Sequence, residues 1–433
     1  MFRFILIYFL IVSNVLAQDI TALGGSMTSN LEGRHSLQVT APNVNDNEKR
    51  TKQLEGFGVF HGSFTELNGL GPTFVNSSCG GCHVNNGRGP VKFSKSDLGS
   101  TAIVKVSLEG EDSDGSPKDV PGVVVGEQLH DHSILDNDKT LVPVKLKWET
   151  IKGTYKDKTP FVLRKPLITF SVKGINQRKI QSSMRMTPMV FGPGLIDAIP
   201  ESDILALSDP FDFNRDGISG SPNFVPDVSN GGTSVGRFGF KGTQPNLAQQ
   251  SAAAFFNDMG IANKLFNGGQ PSEISDEDFD SLVVYQALGG VPPARNQDDP
   301  AVISGKKFFQ NIGCDSCHKM TFVTKSSEPA LDNQAIHPFS DFLLHDMGKG
   351  LDDGRPAFFA ESSEWKTTPL WGLGFSMDLP EDGSKLSFLH DGRAKSLEEA
   401  ILWHNGEGKR AKDKFVKMAK ADRDNLVAFL RSL

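Results

Sequence analysis

The sequence predicts a mainly α protein of two domains, the first interrupted by a strand-rich insertion, and three observations predict it. One five-residue pattern, Cys-x-x-Cys-His, stands at Cys79-Gly80-Gly81-Cys82-His83 and again at Cys314-Asp315-Ser316-Cys317-His318. Apolar residues fall at helical spacing from Leu247 to Phe266, from Asp276 to Leu288 and through much of the C-terminal part. Between Thr101 and Val172 the chain instead breaks into short β-prone runs separated by polar turns.

The chain opens on one positive charge, Arg3, followed by the apolar run Phe4 to Val12 and by Val15-Leu16-Ala17 before Gln18. That order reads as a signal peptide over residues 1–17. The alternative, a membrane anchor, suits the run less well because it is too short to span a bilayer comfortably. No cysteine follows the cleavage site, and no later segment is apolar for long enough to span. The expectation is therefore an exported, periplasmic protein without a transmembrane segment after cleavage. Residues 18–50 are polar and aperiodic, and read as a flexible leader. An N-terminal domain is expected over 51–292, with the insertion at about 101–172 carrying Val104, Val106, Val123-Val124-Val125, Val144 to Trp148 and Phe161-Val162-Leu163. Pro292-Pro293 breaks the chain before a C-terminal domain over 293–433. Within it, Ser396 and Glu399 have capping-box spacing, and Leu397, Ala400, Ile401 and His404 fall on one helical face.

Composition narrows the function classes. Of 433 residues, 38% are hydrophobic and 22% charged, ordinary values for a soluble globular protein. The net charge of −7, without a polybasic run, argues against nucleic acid or anionic lipid as a main partner.

All four cysteines belong to the two repeated motifs. Such tight pairs make a poor disulfide framework. Their spacing alone would also suit zinc or thioredoxin-like chemistry. The histidine after each pair decides the matter: two thiols one turn apart form thioethers to the vinyl groups of one haem, and the next side chain reaches the iron. The reading is two c-type haems in two cytochrome c-like haem domains. Cys79, Cys82 and His83 attach the first, and Cys314, Cys317 and His318 the second. His404 is the expected sixth ligand of the second iron, with Met347 and His345 as runners-up.

The stretches Thr368 to Gly372, Leu389-His390-Asp391-Gly392-Arg393-Ala394 and Leu397 to Ile401 resemble the second haem domain of bacterial di-haem cytochrome c peroxidases. With Gly71 to Phe74, Gly192 to Pro200, Asn214 to Gly220, Gly236 to Lys241 and Leu343 to Gly348, most of residues 55–433 resembles the di-haem oxidoreductase family of peroxidase-like proteins. The resemblance implies that peroxide reacts at the first haem and that the second relays electrons. The relay's sixth ligand lies fourteen residues beyond the histidine of the His-Asp-Gly motif, which is the separation of His390 and His404. It also implies a glutamine in the first pocket, here Gln128, and a glutamate ten residues on, where this chain has Asp138. His130 is expected as a distal base, and either it or His132 could instead cap the iron. The tryptophan that the resemblance places between the haems is missing from this region, since Trp148 comes too late. A small redox protein or a quinol-linked donor or acceptor would supply the electrons, and hydrogen peroxide is the expected small-molecule substrate.

Asp212, Asn214 and Asp216 have the opening spacing of a calcium loop, with Gly217 at the turn but Asn223 where a bidentate glutamate belongs. A solvated Asx-rich turn is the alternative. Two rivals to a peroxidase-like enzyme remain: an electron-transfer cytochrome without a substrate, and an oxidase of a protein or metabolite.

Overall fold

Two crossed helix pairs frame the computed structural model, which describes residues 20–433 except 32, 34, 36, 94–98, 122, 124–126, 136–137 and 380–385. The signal peptide expected at residues 1–17 lies outside the described residues. The principal helices are α1 (Asn47–His61), α2 (Leu247–Met259), α3 (Asp276–Ala287), α4 (Pro300–Ile312), α5 (Leu397–Trp403), α6 (Lys409–Lys417) and α7 (Lys420–Ser432). Asp46 starts α1 by accepting from Glu48 N and Lys49 N at 2.9 and 3.3 Å, which satisfies amides the helix leaves unpaired.

Helix α1 crosses α3, and α4 crosses α7, in the same way. A Cβ on Gly56 would stand 1.9 Å from Ser281 O, and one on Gly305 would stand 2.0 Å from Asn425 O. Only glycine lets these backbones approach so closely. Four residues on, Phe60 meets Tyr285 with ring centroids 5.2 Å apart, and Phe309 meets Phe429 at 5.3 Å. The same four positions thus build the helix crossing beside each Cys-x-x-Cys-His motif.

Taken as a whole, the chain is not mainly helical. It is 30% helix and 18% strand, a mixed α/β architecture with several small sheets, which corrects the mainly α expectation. Strand β1 (Ala102–Glu111) pairs antiparallel with β4 (Ile180–Met186), from Ala102 opposite Met186 to Leu108 opposite Ile180. Strands β2 (Lys145–Thr154) and β3 (Pro160–Thr169) form a long hairpin. Further ladders, such as β5 (Leu344–Asp346) against β6 (Glu364–Lys366), are three residues long. Strands that short carry no legible period-two alternation, and for that reason the strand content was underestimated.

The segment read as a flexible leader is packed in place. Leu23 and Met27 are fully buried, and Leu37, Ala41 and Val44 join them in the largest apolar core. Ser29 N donates to Val291 O at 2.8 Å, Val291 N to Met27 O at 3.1 Å, and His337 N to Leu23 O at 2.8 Å. Each apolar side chain fills a separate hole, so the strap shows no regular period. Among the described residues no helix is long and apolar enough to cross a membrane.

Candidate functional site

Each Cys-x-x-Cys-His motif sits on a short helical turn against its glycine-crossed helix. Ser78 caps the Cys79–Cys82 turn by accepting from Gly81 N at 3.1 Å. The His83 ring lies 5.7 Å from Phe60, and the His318 ring 6.2 Å from Phe309. His83 Nδ1 donates to Pro188 O and His318 Nδ1 to Phe339 O, both at 2.9 Å. Each imidazole is thereby fixed as the tautomer with a free lone pair on Nε2, the form that binds a metal. Burial pushes both down to about 4, so both are neutral at ordinary pH. Burial pushes the Cys79 and Cys314 thiols up to about 12 and raises Cys82 and Cys317 as well. Such sulfurs are poor thiolates, unlike those of a thioredoxin-type site, and none forms a disulfide.

His404 is in the same state. It follows the last turn of α5, and its Nδ1 donates to Ala400 O at 2.8 Å while burial holds it neutral. It lies close enough to His318 for the two imidazoles to disfavour each other's protonation. The capping box is half formed: Ser396 Oγ accepts from Glu399 N at 3.2 Å, but Glu399 reaches Lys395 N instead of Ser396 N. His345 is not available as a ligand. Its Nε2 lies 2.9 Å from Asp341 Oδ2 and its Nδ1 2.6 Å from Glu407 Oε2. Burial would lower it, but these carboxylates and Cys317 outweigh burial and hold it protonated, at about 12. The grouping of Cys317, Asp341 and His345 is therefore a charged clasp rather than a metal cage. Met347 keeps its methyl group beside His404, over Gly408.

The first motif opens on a cavity of about 280 Å³, whose wall includes Cys79, Cys82, His83, Gln128 and Asp258. Gln128 is fully buried, and its Nε2 donates to Asp258 Oδ1 at 2.8 Å and to Asn257 O at 3.3 Å. Its Oε1 has no partner, which is costly unless a ligand supplies one. Burial pushes the Asp258 carboxyl above the usual range. Glu127 is held the other way: burial raises it, but the Arg355 and Lys105 charges prevail and keep it ionised, at about 2. Arg88, Arg185, Lys241 and Lys366 also line the wall, with Arg88 donating to Ser387 O and Leu389 O, Arg185 paired with Asp353, and Lys241 Nζ donating to Glu361 O, Ser362 O and Glu364 O.

His130 does not serve as a distal base. Its Nδ1 accepts from Thr73 Oγ1 at 2.7 Å and its Nε2 donates to Asn257 O at 2.6 Å, so both nitrogens are committed to holding the cavity wall from behind. His132 faces Asp131 Oδ1 at 2.6 Å and stacks on Phe74. Asp138 lies in an exposed turn with Ser133 and Thr140. The carboxyl beside Gln128 is instead Asp258, at the end of α2, and no local sequence signal links residues so far apart. Trp148 lies under Arg164 at 3.9 Å, away from the motifs. Trp365 occupies the ground between them. It stacks on His390 at 3.7 Å, pairs across β5–β6 with His345, and touches the cavity-wall cations Arg185 and Lys241 at 4.4 and 4.3 Å.

The Asp212 to Gly217 loop is knit by its own backbone. Asp212 accepts from Gly217 N at 3.2 Å, Asn214 from Asp216 N at 2.9 Å, and Asp216 from Ile218 N at 2.9 Å. Among the described residues no group of three or more carboxylate, imidazole or thiol side chains converges in this loop.

The chain matches the family model described as "di-haem oxidoreductase, putative peroxidase" over residues 17–272 and again over 267–433. No curated protein matches it. Among solved structures it is similar to hydrazine synthase of Kuenenia stuttgartiensis pressurized with xenon, at 14% identity and a TM-score of 0.38, over 92% of this chain and 91% of that one. A likeness at that level bears on neither fold nor chemistry.

Proposed function

Because the chain belongs to the di-haem oxidoreductase family, we propose that it is an exported protein carrying two c-type haems, with a peroxidase-like first site and an electron relay at the second. One observation carries this reading: two motifs far apart in sequence sit in one repeated setting, and His83, His318 and His404 each present a neutral Nε2 with Nδ1 tied to a carbonyl. When bound, haem supplies one-electron chemistry and an axial position for a small ligand.

The chain's own residues supply the rest. Cys79 and Cys82 would hold the first haem and Cys314 and Cys317 the second. His318 and His404 would give the second a bis-histidine set, which favours electron relay over substrate binding and a lower potential than histidine–methionine ligation. At the first site, among the described residues, His130 offers His83 no counterpart to His404, because both its nitrogens are engaged. Gln128 Oε1 accepts a hydroxyl hydrogen of peroxide and orients it. Asp258, whose carboxyl burial pushes above the usual range, lies one hydrogen bond from Gln128 Nε2 and is placed to hold a proton there.

The test is an electron paramagnetic resonance spectrum of oxidised protein made with a haem-maturation system. One high-spin and one low-spin haem, both retained after acid extraction, with cyanide perturbing only the high-spin signal, supports the reading. Two low-spin haems indifferent to cyanide would make the protein an electron carrier. Loss of haem to organic solvent would remove the c-type assignment altogether.

A further inference from the structure

Two segments far apart in sequence bring charge of one sign to the second site. Helix α6 carries five basic residues, Lys409, Arg410, Lys412, Lys414 and Lys417, against one acidic residue, Asp413, in a chain of net charge −7. The tip of the β2–β3 hairpin packs on that helix, with Lys156 N donating to Val416 O at 3.0 Å, and adds the exposed Lys156 and Lys158. Three of the neighbouring carboxylates are already engaged, Asp413 with Lys409, Asp157 with Arg423 and Asp424 with Lys420, while Glu398 and Asp315 stand at the border of this basic surface and leave the balance basic. No single run is polybasic, since α6 interleaves its charges with Ala411, Phe415 and Val416, and only folding assembles the face.

The face borders the second site directly. Lys412 Nζ donates to Asn405 Oδ1 at 3.3 Å, next to His404, and Lys414 Nζ donates to Asn311 O and Ile312 O at 3.2 Å, just before Cys314. Resting on the two-haem reading, we propose that this face docks a small redox protein through an acidic patch, for electron exchange with the second haem. Opposite charge at the rim of a redox site speeds and orients encounter with such a partner. A lipid surface fits less well. An interfacial helix keeps its apolar side free for the bilayer, but Phe415 is fully buried against Tyr155, and no large exposed apolar residue lies on α6.

The experiment measures electron transfer to the oxidised two-haem protein by stopped flow, with a reduced, acidic [2Fe–2S] ferredoxin and, in parallel, a reduced, basic cytochrome c. The compared proteins are the wild type, the face variant Lys158→Glu/Arg410→Glu/Lys417→Glu, and the control Lys145→Glu/Lys147→Glu at the far end of the hairpin. The ferredoxin rate should fall steeply with added salt in the wild type, drop about tenfold at low salt in the face variant and stay unchanged in the control. The cytochrome rate should not fall in the face variant. A face variant that keeps the wild-type ferredoxin rate overturns the proposal. So does one that keeps the rate but no longer sediments with phosphatidylglycerol vesicles that capture the wild type. The visible spectra of the same samples separate the two claims, because missing haem bands overturn both, whereas intact bands with unchanged rates overturn the docking face alone.

Discussion

At His404 one hydrogen bond settles what the side chain can offer. With Nδ1 given to Ala400 O, Nε2 is left as an acceptor beside His318, and of the two neighbouring rivals His345 has both nitrogens engaged. His404→Gly should therefore turn one low-spin haem signal high-spin and leave the other unchanged. An unaltered spectrum would move the role to Met347, since both nitrogens of His345 are occupied. Asp258 poses the opposite problem, a carboxyl that burial pushes above its ordinary range. A raised value means the proton is present at low pH and leaves as pH rises through that value. Any peroxide reaction that uses it should slow on the alkaline side, and Asp258→Asn should abolish that alkaline limb as well as reduce the rate. If the variant keeps the wild-type pH profile, Asp258 only positions Gln128. His130→Leu, by contrast, should cost stability before it costs chemistry, because Thr73 and Asn257 would lose a buried partner.

Among the elements, the glycine crossings give the sharpest test. Gly56 and Gly58 lie on the same helix, but a Cβ at Gly56 would meet Ser281 O at 1.9 Å, whereas one at Gly58 meets nothing within 4 Å. Gly56→Ala should destabilise by about 1–3 kcal/mol through forced separation of α1 and α3, while Gly58→Ala should be neutral or gain up to about 1 kcal/mol. Urea melts of the two variants decide it, and equal effects would mean that the crossing yields. These crossings also show what the sequence made legible. The motifs, the cysteine usage and the family resemblance were plain, because each depends on residues adjacent in the chain. The shared plan of Gly56 with Phe60 and of Gly305 with Phe309 was equally present, but its partners Ser281, Tyr285, Asn425 and Phe429 lie more than a hundred residues away. Strand β4, the strap at residues 20–46 and Asp258 went unread for the same reason. The Asp212 loop was read as a calcium turn from its spacing, yet its side chains already satisfy their own backbone amides. Chelation should leave the melting temperature unchanged, and a clear drop would restore the metal.

Across the whole molecule many contacts tie the halves, such as Arg185 with Asp353 and Arg164 Nη2 with Gly392 O, and a strap and a hairpin reach furthest across. The strap runs along residues 288–294 and then reaches the second half, with Asn43 Nδ2 donating to Ala330 O at 2.8 Å. The β2–β3 hairpin leaves the first half and ends on α6 and α7. There the Arg423 guanidinium lies 3.8 Å over the Tyr155 ring, Asp157 pairs with Arg423 at 2.9 Å, and Tyr155 packs edge-on to Phe415. The largest core runs continuously from Leu23 through Trp371 to Phe429. A chain of this length ordinarily unfolds domain by domain, but these ties should make the two halves melt together in one calorimetric transition. Tyr155→Ala removes a buried ring and the surface on which Arg423 rests, at a cost of about 3 kcal/mol. Because that loss falls at the contact between halves, it should do more than lower the transition: it should split it, with the second half melting first. Arg423→Met keeps the ring packed and should lower the transition without dividing it. A single undivided transition in Tyr155→Ala would show that the other contacts between the halves couple them without the hairpin tip, and that the hairpin serves only to build the face beside the second site.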